Sequence, residues 1–153
     1  MSQCGKIAVL FVATMLGFVV PAAHANEAET AVKDVIEALA KDLSRGNLES
    51  LLAHFAEDAQ IDSIAANGKV SKDRYRQAMA DTFKKTVPLT KVEYRLLSVS
   101  LPDPTHAVVT GRLYFQGSNW KREGSQEWRL EKRDSTWLIT NTTYTKLGKV
   151  EYQ

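Results

Sequence analysis

Apolar residues are spaced in two different ways along this chain, and the change between them limits the fold more than any other feature. Up to about Lys85 they recur every three or four residues, as from Val32 to Leu43, which predicts helices. After Pro88 apolar and polar residues alternate, most regularly from Lys121 to Arg133, which predicts strands. Helices followed by a run of strands indicate an α+β fold, with helices packed on one face of an antiparallel sheet.

Turn and cap residues set the expected bounds of these elements. The helices are expected over residues 28–44, from 48 after the Asn47 cap, and from 72 to 85 after the Ser71 cap. Phe55 is expected on the buried face of the second helix. One strand is expected over residues 59–64, before the Asn67-Gly68 turn. Four more are expected over residues 92–101, 106–115, 121–133 and 137–145.

The first 25 residues have the pattern of a secretory signal peptide. Lys6 precedes an apolar run from Ile7 to Val20, and Ala23 and Ala25 fit the small residues before a cleavage site. Cleavage after Ala25 would leave residues 26–153 as a single periplasmic or secreted domain that is not held at a membrane. The alternative is a retained anchor, for which the apolar run is short.

Composition argues against several kinds of partner. The single cysteine, Cys4, lies in the predicted signal peptide, and only His54 and His106 follow it, so we expect neither a metal site nor another cofactor. His54 is expected at the surface, and His106 at the start of a strand. The net charge of +2 gives no reason to expect nucleic acid as a partner. Basic pairs such as Lys121-Arg122 are interleaved with acids and are typical of solvated surface.

Two segments resemble a known superfamily. Residues 44–48 (SRGNL) are followed by residues 51–61 (LLAHFAEDAQI), and Trp137 and Ile139 open the last long predicted strand. This order is similar to the nuclear transport factor 2-like superfamily over about residues 28–146. The resemblance implies a cone, in which helices pack in the concave face of a strongly curved, mainly antiparallel sheet. Such folds host isomerases, hydrolases, cyclases, dehydratases and non-catalytic adaptors, so the fold does not give the function.

The catalytic residues of the steroid isomerases in this superfamily are absent at the matching positions. Alignment on the Gly-Asn-Leu turn puts Leu39 where those enzymes have a tyrosine, Ser63 where they have the aspartate base and Gln126 where they have a second acid. Without a base and an oxyanion donor the isomerase reaction is not expected. Asp62 is the one candidate catalytic residue, although strand alternation points it away from Ser63 and the cone.

Alternation also gives a candidate ligand site. Ser63, Gln126, Asn141 and Thr143 are predicted to point into the cone beside Trp128. Neutral hydrogen-bonding groups among aromatic and aliphatic walls are typical of small-molecule sites. The other interpretation is a filled core, in which these polar groups bond to one another.

Three functions remain open from the sequence. The first is a non-catalytic domain that binds a small apolar or amphipathic molecule. The second is an enzyme of the SnoaL-like kind that acts through Asp62 or a tyrosine such as Tyr94. The third is a protein-interaction module. An apolar outer face on the strand of residues 106–115, with Val108 and Tyr114, together with the habit of many relatives, also predicts a homodimer.

Overall fold

The elements follow one another in the predicted order within residues 22–85, 89 and 91–153, which are the residues that the computed structural model describes. There the chain forms three helices and seven strands. They are α1 (Ala22–Arg45), α2 (Leu48–Ala53), β1 (Phe55–Ser63), β2 (Gly68–Ser71), α3 (Lys72–Lys85), β3 (Lys91–Asp103), β4 (His106–Gln116), β5 (Trp120–Arg133), β6 (Thr136–Leu147) and β7 (Glu151–Tyr152). The α+β class is confirmed.

Helix α1 buries the predicted face, including Val32 and Leu39, and it ends where the sequence indicates. Gly46 has a φ of +67°, a conformation that favours glycine, and its N–H donates to the Leu43 carbonyl at 3.3 Å. The helix begins at Ala22 and therefore includes the predicted cleavage position. Residues 1–21, which hold most of the predicted signal peptide, lie outside the described residues, so export stays a prediction.

The second and third helices begin at the predicted caps. The Asn47 side chain accepts the N–H of Ser50 at 3.3 Å, and the Ser71 hydroxyl accepts that of Arg74 at 3.4 Å. Helix α2 ends before Phe55, which contradicts the placement of Phe55 on a helix. Phe55 instead begins β1, four residues earlier than predicted, because the chain already pairs with β6 there through the bond from Ile139 N–H to the His54 carbonyl.

The strands form one mixed sheet in the order β2-β1-β6-β5-β4-β3, and β7 pairs with the start of β5. Only β1 and β6 are parallel among the described pairs, so the sheet is mainly antiparallel, as predicted. Strands β2 and β7 were not predicted. They contain four and two residues, which is too short to show an alternating pattern.

A β-bulge in β6 changes which side chains face the helices. Ile139 pairs with Leu130 and Asn141 pairs with the next residue, Arg129, so Thr140 is an extra residue on β6. The Thr140 hydroxyl donates to the Arg129 carbonyl at 3.2 Å. Because side chains alternate along a strand, one extra residue exchanges the faces of the residues that follow it, here as far as Tyr144, after which the register shifts again.

The core lies between the helices and the face of the sheet that they cover, which we call the inner face. Trp128 and Trp137 are 0% and 6% exposed, which confirms that both are buried. Gly111 leaves room for Trp128, since a Cβ there would lie 3.1 Å from its ring. His54 is not a free surface residue: its side chain is 19% exposed and its Nε2 lies 2.8 Å from Asp42 Oδ2, which ties the end of α2 to α1.

Candidate functional site

A cavity of about 590 Å³ lies inside the cone, between α1, α3 and the inner face of the sheet. Its volume is within the range of small-molecule sites. Most of its wall is aliphatic or aromatic. The apolar lining includes Leu39, Leu43, Leu51, Phe55, Ile61, Met79, Phe83, Leu89, Phe115, Trp120 and Val150.

Two polar groups of β5 in this wall have no hydrogen-bond partner in the part of the chain that the structure describes. Gln126 is 5% exposed, and its side-chain amide makes no hydrogen bond there. The indole Nε1 of Trp128 is buried and is likewise unbonded. A fully buried polar atom without a bond, such as Trp128 Nε1, costs about 1–3 kcal/mol. The Gln126 amide differs, because it lines the cavity and can bond to a molecule inside it.

Three tyrosines from different elements also line the cavity: Tyr75 from α3, Tyr94 from β3 and Tyr144 from β6. Burial raises the pKa of all three phenols. Repulsion from an ionised Tyr144 raises the pKa of Tyr75 and Tyr94 further. At neutral pH they are therefore protonated. Their hydroxyls make no hydrogen bond to any described residue, so they present further donors to a ligand.

The rim of the cavity combines exposed apolar side chains with two arginines. Ile64 and Val150 are each 39% exposed, and Tyr152 on β7 is 78% exposed. Arg45, at the end of α1, and Arg122, on β5, supply the positive charges of the lining. No carboxylate or imidazole occurs among the described lining residues.

Structural comparison identifies this architecture, whereas no protein-family profile matches the chain and no curated protein is similar to it in sequence. A candidate scytalone dehydratase of Novosphingobium aromaticivorans superposes with a TM-score of 0.70 at 14% identity, covering 86% of this chain and 91% of that one. A ketosteroid isomerase-like protein of Erwinia carotovora atroseptica gives 0.68 at 15% identity, covering 81% and 99%.

A third structure is a nuclear transport factor 2-like protein of unknown function from Shewanella oneidensis. Its TM-score is 0.63 at 17% identity, with 75% of this chain and 96% of that one covered. The chain has the nuclear transport factor 2-like fold. The predicted resemblance is thereby confirmed, and at these identities it concerns the fold alone.

Within the nuclear transport factor 2-like fold, the three positions matched to the isomerase catalytic residues all line the cavity. They hold Leu39, Ser63 and Gln126, none of which has a carboxyl group. Ser63 is 4% exposed, and its hydroxyl already accepts the N–H of Ala66 at 3.2 Å. The inward placement predicted for Ser63, Gln126 and Trp128 agrees with the structure, while their role in binding stays a prediction.

The predicted placement of Asn141 and Thr143 is wrong. Both lie outside the cavity, and Lys69 Nζ donates to Asn141 Oδ1 at 3.1 Å and to Thr143 Oγ1 at 3.0 Å. The bulge at Thr140 is the cause, because it exchanges the two faces of β6. Thr142 and Tyr144 take the inward positions, opposite Trp128 and Gln126 of β5.

Asp62, the candidate catalytic residue, does not line the cavity either. Its Oδ2 accepts the backbone N–H of Tyr144 at 2.9 Å, and its own N–H donates to the Thr142 hydroxyl at 2.9 Å. The carboxylate thus continues the pairing of β1 with β6. This arrangement gives Asp62 a structural role in the sheet.

Sequence reasoning missed four other lining residues, or gave them different roles. Tyr75 lies on α3, and its place in the cavity was not predicted. Arg122 was predicted as solvated surface, although its even spacing from Gln126 on β5 indicates the inner face. Thr142 and Tyr144 gave no local signal, since their position depends on the bulge. Among the described residues no three side chains are grouped as a metal site would require, and no helix has the length and apolar character for a bilayer crossing.

Proposed function

We propose that this chain is an exported, non-catalytic binding domain that takes a small amphipathic molecule into its cone. One observation carries the proposal: an apolar cavity of about 590 Å³ contains neutral donors, on Gln126 and the tyrosines, that bond to nothing in the described protein. An apolar wall favours burial of a hydrophobic ligand, and a few unbonded donors orient its polar atoms.

The chemistry of the lining supports binding over catalysis. A proton transfer at neutral pH needs a group that gains and loses a proton near that pH. The described lining has neither carboxylate nor imidazole, and its phenols have raised pKa values. An enzyme of the SnoaL-like kind would need a base such as Asp62 within the cone. An interaction module with a filled cone is disfavoured by the cavity itself.

The binding proposal is tested with the neutral apolar fluorophore N-phenyl-1-naphthylamine. We expect its fluorescence to rise on binding to the wild type, because the dye moves from water into an apolar site. Met79→Trp, which adds bulk to a cavity-lining side chain, should abolish the rise. Arg112→Trp is the matched control, since Arg112 is exposed on the face of β4 opposite the cavity. Equal fluorescence from both variants would contradict the proposal.

The polar part of the site is tested with dodecanol, whose hydroxyl can accept a hydrogen bond. At 100 times its dissociation constant a ligand stabilises the fold by about 2.7 kcal/mol, a melting shift of roughly 5–15 °C here. Gln126→Leu should reduce this shift and leave the melting temperature of the free protein nearly unchanged, because it removes an amide that bonds to nothing. A full shift in this variant would exclude Gln126 from the site.

A further inference from the structure

Arg122 has a position unlike that of the other charged residues of β5. It shares the inner face with Trp120, Gln126 and Trp128, is half-buried and lines the cavity. Gly124, the residue between Arg122 and Gln126 on this face, carries no side chain. A Cβ there would lie 2.7 Å from the Lys146 carbonyl and 2.9 Å from Leu113 Cδ1.

One hydrogen bond orients the guanidinium, and its charge has no ion-pair partner within the described part of the chain. Arg122 Nε donates to the Gly148 carbonyl at 2.8 Å, in the segment between β6 and β7. No carboxylate of the described residues forms an ion pair with it. Arg129, further along the same strand on the other face, is paired with Glu127 at 2.8 Å. A half-buried charge beside an apolar wall is costly unless an anion accompanies it.

Other groups of the cavity wall can donate hydrogen bonds as well. Tyr144 is close enough that the guanidinium charge acts on its pKa, opposing the larger effects of burial and of Asp62. The Tyr144 hydroxyl and the Gln126 amide make no hydrogen bond to described residues. The described lining combines a cation with groups that can donate and contains no carboxylate, and Asp62, outside the lining, already accepts the Tyr144 N–H. Such a wall favours a ligand group that accepts hydrogen bonds and carries negative charge.

We infer that the ligand ends in a carboxylate, held by the free edge of the Arg122 guanidinium at the mouth of the cone, with its apolar body inside. A planar carboxylate matches the two parallel N–H bonds that a guanidinium offers. This inference rests on the proposed binding function and narrows it to apolar carboxylic acids, of which the fatty acids are the simplest class.

The test compares dodecanoate with dodecanol, two molecules with the same number of carbons and different charge, as competitors of N-phenyl-1-naphthylamine on the purified full chain. We expect dodecanoate to displace the dye from the wild type at about tenfold lower concentration than dodecanol. Arg122→Gln should reduce this preference to about one, through weaker dodecanoate binding alone. Arg112→Gln, which removes one positive charge from the opposite face, should keep the preference.

Each outcome bears on one of the two proposals. If the dye fails to bind the wild type, the binding function itself is wrong. If the dye binds but dodecanoate has no advantage, or if Arg112→Gln loses the advantage equally, the carboxylate inference is wrong and the binding function stands. Arg122→Lys separates charge from the bond to Gly148: it should bind the dye and keep part of the preference, and dye binding without any preference would overturn the inference.

Discussion

The inner and outer faces of the sheet differ in their polar side chains. On the outer face several charged groups are paired with neighbours, such as Arg129 with Glu127 at 2.8 Å and Arg95 with Glu93 at 3.0 Å. On the inner face Gln126 and Tyr94 bond to no described residue. Ion pairs that are exposed to water contribute little to stability, so the outer pairs mainly keep this face polar. Unbonded polar groups inside an apolar wall are costly, which is one reason why we propose that the inner face holds a ligand.

Strand β5 carries both patterns on alternate residues, which makes it the sharpest place to test the difference. Trp128 on the inner face is 0% exposed, and its ring centroid lies 5.1 Å from that of Tyr94. Trp128→Ala should cost about 3–5 kcal/mol of a total stability of about 5–15 kcal/mol. Arg129→Ala, one residue away on the outer face, should change stability by about 0.5 kcal/mol or less. Urea melts of both variants give the comparison, and similar losses would remove the distinction between the faces.

Local spacing was sufficient for the parts of the fold whose burial depends on neighbours in sequence. The Val32–Leu43 face of α1, the Gly46 helix end and the inward positions of Ser63 and Gln126 could all be predicted in this way. The outward positions of Asn141 and Thr143 could not be predicted from local spacing. They depend on the extra residue Thr140, which is apparent only from the pairing of β6 with β5. Such bulges are set by tertiary contacts, and one residue reverses a whole segment.

The electrostatic part of the site was harder to predict for a different reason. Arg122 lies in a sequence where basic and acidic residues alternate, which is typical of solvated surface. Arg122 is distinctive because no carboxylate of the described residues forms an ion pair with it in the folded protein. A sequence does not show which charges remain unpaired after folding. The phenols of Tyr75 and Tyr144 are similar, since they come from α3 and β6 and meet only in the cone.

The same contrast predicts how the inner face responds to alkali. Burial raises the pKa values of Tyr75, Tyr94 and Tyr144, so the folded state resists their ionisation. Because the folded pKa lies above the unfolded one, this stabilisation is complete below about pH 10 and is lost as the pH rises further. Phenolate absorbance from these residues should therefore appear only together with unfolding. Tyr144→Phe should reduce the absorbance change of that step, and a reduction before unfolding would show that Tyr144 is not shielded.

On the outer surface, acid rather than alkali should reduce the stability of the fold, and we expect this change in stability to be the smallest. Asp103, the last residue of β3, accepts bonds from His106 Nδ1 at 2.9 Å and from the Thr105 N–H at 2.8 Å. The His106 bond, and then the Thr105 bond, lower the Asp103 pKa to about 2. A lowered folded pKa stabilises the fold above the unfolded pKa of about 3.9, and the gain is lost as the pH falls towards 2.

An NMR titration of the Asp103 carboxyl carbon measures this directly. His106→Gln should raise the midpoint towards the usual aspartate value, because the ring and its positive charge at acid pH are removed. Asp103 is solvent-exposed, so the melting temperature should hardly change at neutral pH, in contrast to Trp128→Ala. A midpoint that is unaffected by His106→Gln would mean that the turn backbone alone lowers the pKa. A large loss of stability at neutral pH would show that paired groups outside the cone contribute as much to the fold as the buried wall within it.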